Sequence, residues 1–348
     1  MKIHHELIVV LTFVPAISGA VDFESLAPGT WAAVQPSDRK FNDSNTLIVE
    51  SDDFAIVVDA QESAADVTQI IDFISTEIEK PVRYLINTHW HGDHTQGNTI
   101  YRDTYGDNLI IIGHRTHAAD IIERAAVDHR QRVEDTKNAL PAAREQLVTG
   151  IKRDGSEFTP DELAAQTRRV ENAEAWVIAN QYIRFTGPSL TIDDVYSVEA
   201  GVASFTIYPM RGHTRGDLVI HFPEHEIIAA GDLLDAMPYA GHGYPSEWLQ
   251  SLSAMRSMGA KLYLPGHGPV LRDDSLIASL AFYFQSLISQ VKVLAAAGIS
   301  PDAIVDVIDL TTSRELLAGD DAAAQRFFDQ VQPEAVQRAI DELNSAAQ

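Results

Sequence analysis

Residues 88–98 read Thr-His-Trp-His-Gly-Asp-His-Thr-Gln-Gly-Asn, so His89, His91, Asp93 and His94 put four metal-competent side chains into six residues. The preceding segment, Val82 to Asn87, is apolar and β-branched enough to be a buried strand. The cluster therefore sits where a strand gives way to a loop. Side chains two apart on extended chain point the same way, so His89 and His91 can share one ion. Gly92 lets the chain turn sharply, which carries Asp93 and His94 round the corner towards a second ion. A lone histidine is usually an ordinary loop polar, but three histidines and an aspartate packed directly after a strand point to a metal site.

The run His89-Trp90-His91-Gly92-Asp93-His94 resembles the signature of the metallo-β-lactamase superfamily. Members of that family also carry a later histidine, a bridging Asp or Cys, and a last histidine. The matching residues are His213 in Gly212-His213-Thr214-Arg215-Gly216-Asp217, Asp232 in Ala230-Gly231-Asp232-Leu233-Leu234, and His267 in Pro265-Gly266-His267-Gly268-Pro269. The resemblance spans roughly residues 30–300. It implies an α/β fold, a four-layer αββα sandwich, to which the residues themselves add a helical insertion. It also implies a ligand set: His89, His91 and His213 for one ion, Asp93, His94 and His267 for a second, and Asp232 bridging with one oxygen to each. Asp59, at the end of Val57-Val58-Asp59, matches a family aspartate that orients a ligand histidine, and Asp217 is placed to brace another. Fold and metal chemistry are specific at this level, whereas substrate is not.

Imidazole and carboxylate donors suit two Zn2+, and Mn2+ or Fe fits the same donors. Two cations sharing a water bring its pKa down to about 7, which supplies a hydroxide nucleophile without Ser or Cys. The expected function is an exported dinuclear zinc hydrolase attacking a small ester-like bond (phosphodiester, lactone or β-lactam), with Asp93 or Asp232 moving the proton. The Asp at position 232 resembles the thioesterases, phosphodiesterases and lactonases of the family more than its Cys-containing β-lactamases. Tyr239, His242 and Tyr244, in the loop after Asp232, are candidates for substrate contact or leaving-group protonation, or else loop packing. Arg215 faces an anionic substrate or braces its loop. His114 reads as structural, since the ligand set is already full. One rival function is a mononuclear iron oxidoreductase like the persulfide dioxygenases, using residues matching His89, His213 and Asp232. A further rival is an inactive metal-binding protein of the same fold.

The 348 residues carry 26 basic and 50 acidic side chains, a net charge of −24. Such a surface repels nucleic acid and anionic membranes, so the expected partner is a small molecule, with no nucleic acid and no stable membrane insertion. There is no cysteine, so no disulfide forms and every metal ligand must be nitrogen or oxygen. Met1–Ala20 reads as a signal peptide: a short polar start, an apolar stretch from Leu7 to Ile17, then Ser18-Gly19-Ala20. Cleavage after Ala20 implies a periplasmic or secreted protein, with one domain over 21–348.

Along that domain, Val21 to Lys40 reads as an irregular lead-in. Two short strands follow, then a helix over Gln61 to Ile78, the strand into the metal motif, a covering helix over Thr95 to Tyr105, and a buried strand to Gly113-His114. Residues 115–184 hold no convincing strand and, with 11 basic and 12 acidic residues, stand out from the acidic remainder. They read as an insertion of two long helices, broken near Asn138–Pro141 and at Arg153-Asp154-Gly155. Thr159-Pro160-Asp161-Glu162 starts the second. The insertion is either a lid over the cleft or a packing or dimerisation arm, with Trp176, Tyr182 and Phe185 lining a pocket or forming its core. Strands return after Ser189. A helix with Ser246 as N-cap follows, then the strand feeding His267, and long helices close the chain.

Overall fold

A computed structural model describes residues 21–37, 40 and 43–346. The signal-peptide expectation for residues 1–20 lies outside them. One sheet has seven strands in sequential order: β1 (Asp22–Ala27), β2 (Thr30–Val34), β3 (Thr46–Glu50), β4 (Ala55–Val58), β5 (Val82–Ile86), β6 (Ile110–His114) and β7 (Leu190–Ile192). The second has five, in the order β12 (Leu262–Pro265), β11 (Ile227–Gly231), β10 (Asp217–Phe222), β9 (Phe205–Met210) and β8 (Tyr196–Val198). Strands β4 to β7 run parallel, as do β11 and β12.

The period-2 alternation of the strands decides the layers. On β3 and β4, Leu47, Val49, Ile56 and Val58 face the second sheet, where they meet Leu218, Ile220, Phe222, Ile227 and Ala229. Their neighbours Ile48, Ala55 and Val57 face the other way, onto α1 (Ala64–Phe73) and, after the short α2 (Gly92–Thr95), onto α3 (Asn98–Tyr105). Val219, Ile228 and Ala230 likewise point outward from the second sheet, onto α7 (Pro245–Ser257), α8 (Ser275–Ala296), α9 (Pro301–Val307), α10 (Thr311–Ala318) and α11 (Ala322–Ala346). The result is a four-layer αββα sandwich. By length and composition α8 could cross a membrane, but its inner face, with Leu280, Tyr283, Phe284 and Leu287, is packed into the outer layer of this sandwich.

Between β6 and β7 lies the helical insertion: α4 (His117–Asp120), a π-helical turn, α5 (Ala126–Thr149) and α6 (Pro160–Asn180). Thr159 caps α6 with a complete capping box to Glu162. The two long helices have a small core of their own, built on Val133, Leu140, Ala143, Val170, Ala173 and Trp176. Trp176 belongs to that core, Tyr182 is 85% exposed, and Phe185 packs with Trp90 and Ile121.

Several expectations are corrected. Residues 21–34 are an antiparallel hairpin turning at Gly29 (φ +72); short side chains at Ala32 and Ala33 are fully buried there, and they carry little apolar signal. Pro141 lies inside α5 rather than breaking it. Leu140 and Ala143 on either side of it are buried against α6, and that packing outweighs one lost backbone bond. Helix α1 begins at Ala64, capped by Ser63, and the helix after the metal motif starts at Gly92 and is two pieces. Helix α7 begins at Pro245, so Ser246 is not its cap; its N–H donates to Glu342.

The turn after β4 is packed against the metal loop through Gly97. A Cβ there would lie 2.1 Å from the Ala60 carbonyl oxygen and 2.8 Å from Val67. Both neighbours are held, since the Ala60 N–H donates to His94 O and the Gly97 N–H to Gln61 O. We expect Gly97→Ala to destabilise the fold by about 2–3 kcal/mol through overpacking, read as a lower urea midpoint at unchanged slope. A wild-type midpoint would show that this turn is free to move.

Candidate metal centre

The loops carrying the motif residues leave the same edge of the sandwich. His89 to His94 follow β5, His213 sits between β9 and β10, Asp232 follows β11 and His267 follows β12. Backbone bonds fix the loops to each other: Leu218 N–H donates to Thr88 O at 2.7 Å, and Gly266 N–H to Gly231 O at 2.9 Å. Asn45, at the start of β3, ties the two sheets at this edge. Its N–H donates to Gly266 O, and its amide to Pro265 O and Gly268 O.

Each histidine is oriented by a bond on the ring nitrogen that faces away from the centre. Asp59, 3% exposed, accepts from Thr88 N–H and Thr88 Oγ1–H, and also from His94 Nδ1 at 2.8 Å. Since the Thr88 hydroxyl proton is committed to Asp59, its lone pair takes the bond from His89 Nδ1 at 3.1 Å. Tyr239 O accepts from His213 Nδ1, and Asp43 O from His267 Nδ1, both at 3.0 Å. These four rings therefore present Nε2 inward. His91 is reversed: its Nε2 meets His242 Nδ1 at 2.9 Å and its Nδ1 meets His213 Nε2 at 2.9 Å. Asp59 holds a positive φ of 65°, a sparsely populated conformation for a residue with a Cβ, and the three bonds on its carboxylate offset that cost.

The inward atoms form two groups. Around one point, His213 Nε2 lies 3.4 Å and His89 Nε2 3.7 Å from Asp232 Oδ2. Around a second, His94 Nε2 and His267 Nε2 lie 3.1 and 3.5 Å from Asp232 Oδ1, and 3.5 and 3.1 Å from Asp93 Oδ2. Donors sharing one small cation with bonds of 2.0–2.1 Å stand roughly 3.3–3.4 Å apart, and these four separations are of that size, so the second group is spaced for one cation. His89 Nε2, His94 Nε2 and Asp232 Oδ1 are buried with no hydrogen-bond partner. Buried polar atoms are seldom left so, and here the orphans converge. The donor set therefore fits metal ions.

The two halves differ electrostatically. Burial, with neighbouring histidines, holds His89 and His91 well below the usual histidine range, and burial takes His213 down to about 4. At His94 and His267 burial pulls the same way, but the surrounding carboxylates outweigh it and hold both well above that range. Burial likewise pushes Asp232 up, and the four histidines around it pull it well below the carboxylate range.

A cleft of 380 Å³ opens over these residues. Its walls include Trp90, Met237, Tyr239, His242 and Phe327, and from the insertion Ala125, Asp128, His129 and Arg132. Arg132 reaches across to Glu62 at 2.5 Å. Glu62 N–H in turn donates to the Asp43 carboxylate, and the Asp43 carbonyl holds His267. The insertion is therefore joined to a metal-facing ring through three residues.

Other placements differ from expectation. Asp217 is buried, but its carboxylate takes Thr214 N–H and Thr214 Oγ1–H, so it braces the loop beside His213 rather than the ring. Burial pushes its carboxyl up to about 7. Arg215 is not at the cleft. It grips Asp120 with two bonds of 3.0 and 2.6 Å and lines a separate cavity with Tyr244 and His114. Tyr244 is turned away too, its ring between Arg211 and Arg338 at 4.2 and 5.2 Å. Tyr239 and His242 do line the cleft. His114 bonds Thr116 and stands apart from the metal-competent groups.

Sequence reasoning missed Asp43, Glu62, Arg132, His117 and Asp235. Asp43 works through a carbonyl that any residue has. His117 accepts from His114 N–H and donates to Gly216 O at 2.6 Å, anchoring the His213 loop. Asp235 had a signal: its spacing from Asp232.

This fold and this centre define a metallohydrolase-type αββα protein. A family model described as the metallo-beta-lactamase superfamily matches residues 39–267, 229 of the 348 residues, and the chain belongs to that superfamily. A curated relative, the metallo-beta-lactamase type 2 of Bacillus sp. (strain 170), is 35% identical over 72 residues, 19% of this chain; the chain thus spans only 28% of that relative's length. Among solved structures, the metallo-beta-lactamase FIM-1 from Pseudomonas aeruginosa in its mono-zinc form has a TM-score of 0.52 at 19% identity, over 77% of this chain and 96% of its own. A metallo-beta-lactamase from Pontibacter korlensis has a TM-score of 0.51 at 16% identity, over 76% of this chain and 99% of its own. The sec-alkyl sulfatase PisA1, as a double mutant, reaches 0.63 at 12% identity over 93% of this chain and 50% of its own.

Proposed function

We propose that this chain is an exported, metal-dependent hydrolase that holds two divalent cations, zinc first among them, and cleaves an ester-like bond in a small substrate. The observation that carries this reading is the convergence of buried, unpartnered His89 Nε2, His94 Nε2 and Asp232 Oδ1 on one centre, in rings whose opposite nitrogens are already committed. His89, His91 and His213 hold one position, and Asp93, His94 and His267 the other. Asp232, with Oδ2 beside the first group and Oδ1 beside the second, would serve both. When bound, the cations supply a water acidic enough to attack at neutral pH and a Lewis acid for the scissile group.

The chain's own groups do the rest. Asp93 has the most solvent-open carboxylate of the set, 26% exposed against 10% for Asp232, and it faces the cleft, so it takes up and returns the proton. Trp90, Met237 and Phe327 form an apolar wall that limits bulk water. Arg132 is the one Lys or Arg side chain on the cleft lining among the described residues; it is paired with Glu62 and adds positive charge beside an anionic group of a substrate.

Phosphodiester, lactone and β-lactam substrates all suit this chemistry. A sulfate ester is a second reading, favoured by the extent of the likeness to the sec-alkyl sulfatase, 93% of this chain against 77% for FIM-1. The test is elemental analysis of the purified protein with a hydrolysis panel of those four classes. Close to two zinc per chain with turnover of one class supports the proposal. A single iron per chain with oxygen consumption would replace it. His213→Ala should lose both metal and turnover, and His114→Ala neither.

A further inference from the structure

The proposed ligand set leaves one buried carboxylate at the centre without a role. Asp232 to Leu234 form a single 3₁₀ turn. Asp235 follows that turn in extended backbone. It is 7% exposed and lies on the cleft. Met237 N–H donates to its Oδ1 at 2.8 Å, which fixes the carboxylate's direction. One donor atom each from Asp232, Asp235 and His267 lie within 4.8 Å of one another. Donors on opposite sides of one cation are at most about twice a metal–oxygen bond of 2.0–2.4 Å apart, so the three are within reach of a single ion.

Two further observations point to a ligand rather than to a chance acidic cluster. Asp232 Oδ1, beside Asp235, is buried and has no hydrogen-bond partner, and the fully buried His94 Nε2 that faces it is orphaned too. Asp235 also makes the two halves of the centre chemically unequal. The first half has three imidazoles and one carboxylate oxygen. The second has two imidazoles with oxygens from Asp93 and Asp232, and Asp235 lies within reach of two of those donors, Asp232 and His267.

We propose that Asp235 is a fifth protein donor at the second cation position, and that it gives that position a preference for a harder, higher-coordinate ion such as Mn2+ or Fe2+ relative to the nitrogen-rich first position. This rests on the two-cation reading above. Nitrogen donors suit zinc, and carboxylate oxygens suit manganese. An added oxygen donor also suits an ion of coordination number five or six over tetrahedral zinc.

The experiment is equilibrium dialysis of the metal-stripped full chain against Mn2+ alone and Zn2+ alone, with elemental analysis, for wild type and Asp235→Asn. Asn keeps the acceptor for Met237 N–H and the side-chain volume. Wild type is expected to take up two cations. In Asp235→Asn the first binds as before, while the second weakens about 10–100-fold, more for Mn2+ than for Zn2+. A second measurement needs no variant: with Co2+, the first equivalent gives the strong visible absorption of a four-coordinate ion, and the second gives the weak absorption of five or six ligands. Unchanged second-site affinity in Asp235→Asn, or two strong cobalt bands in wild type, overturns the role of Asp235 and leaves the two-cation reading intact. Uptake of one cation or none by wild type overturns both.

Discussion

On the proposed reading, Asp232→Asn is expected to lower kcat/KM by at least about 10³-fold, which is about 4 kcal/mol of transition-state stabilisation, and to lower the bound metal. Among the described residues, Asp232 is the side chain that lies against both groups of donors, with Oδ1 at 3.1 Å from His94 Nε2 and Oδ2 at 3.4 Å from His213 Nε2. An amide has the same shape but one oxygen, so one of the two groups faces an NH2 that cannot act as a donor to a cation. The fold should survive, because Gly266 and Gly231 backbone groups, not the carboxylate, set the loop. The measurement is steady-state kinetics beside elemental analysis and urea unfolding. Wild-type turnover with full metal in this variant would end the spanning role of Asp232.

Asp59→Ala acts on the same centre from outside it. Three donors lose their acceptor at a position 3% exposed: Thr88 N–H, Thr88 Oγ1–H and His94 Nδ1–H. Each buried, unsatisfied donor costs about 1–3 kcal/mol. With partial relaxation the fold should lose about 3–5 kcal/mol, and metal affinity should fall about 10–100-fold as His94 loses its orientation. Asp59→Asn separates the two effects. It keeps one acceptor for Thr88 but turns an amide or a weaker oxygen towards His94, so metal affinity should fall further than stability does. Urea unfolding of the metal-stripped protein and metal titration read the two quantities independently. An alanine variant with an unchanged urea midpoint would show that Asp59 does not hold this corner together.

The parts of the centre legible in the sequence were those where ligands are neighbours in the chain or belong to a family pattern. His89, His91, Asp93 and His94 declared themselves by spacing after a strand. His213, Asp232 and His267 are scattered over 55 positions, and only resemblance linked them. The four layers came with the resemblance, and the alternation on β3, β4, β10 and β11 accounts for them. The β1–β2 hairpin was hidden because alanines fill its buried face. Pro141 misled because its local cost is outweighed by the α5–α6 contact. Arg215 and Tyr244 stand next to motif residues, yet adjacency along a loop does not say which side of the loop a side chain takes. Asp43 was beyond reach, since its contribution to His267 is a carbonyl.

The donors are divided between the two sheets. His89, His91, Asp93 and His94 come from the loop of the seven-stranded sheet, while His213, Asp232 and His267 come from loops of the five-stranded one. An ion held among them is a cross-link between sheets in a chain that has no cysteine to supply one. Its strength is set by supply: free metal at a hundredfold its dissociation constant adds about 2.7 kcal/mol to the folded state. On the proposed reading, scarcity of metal would therefore do more than stop turnover. It would loosen the sandwich along this edge, and the lifetime of the molecule against proteases would come to follow the metal content of its surroundings.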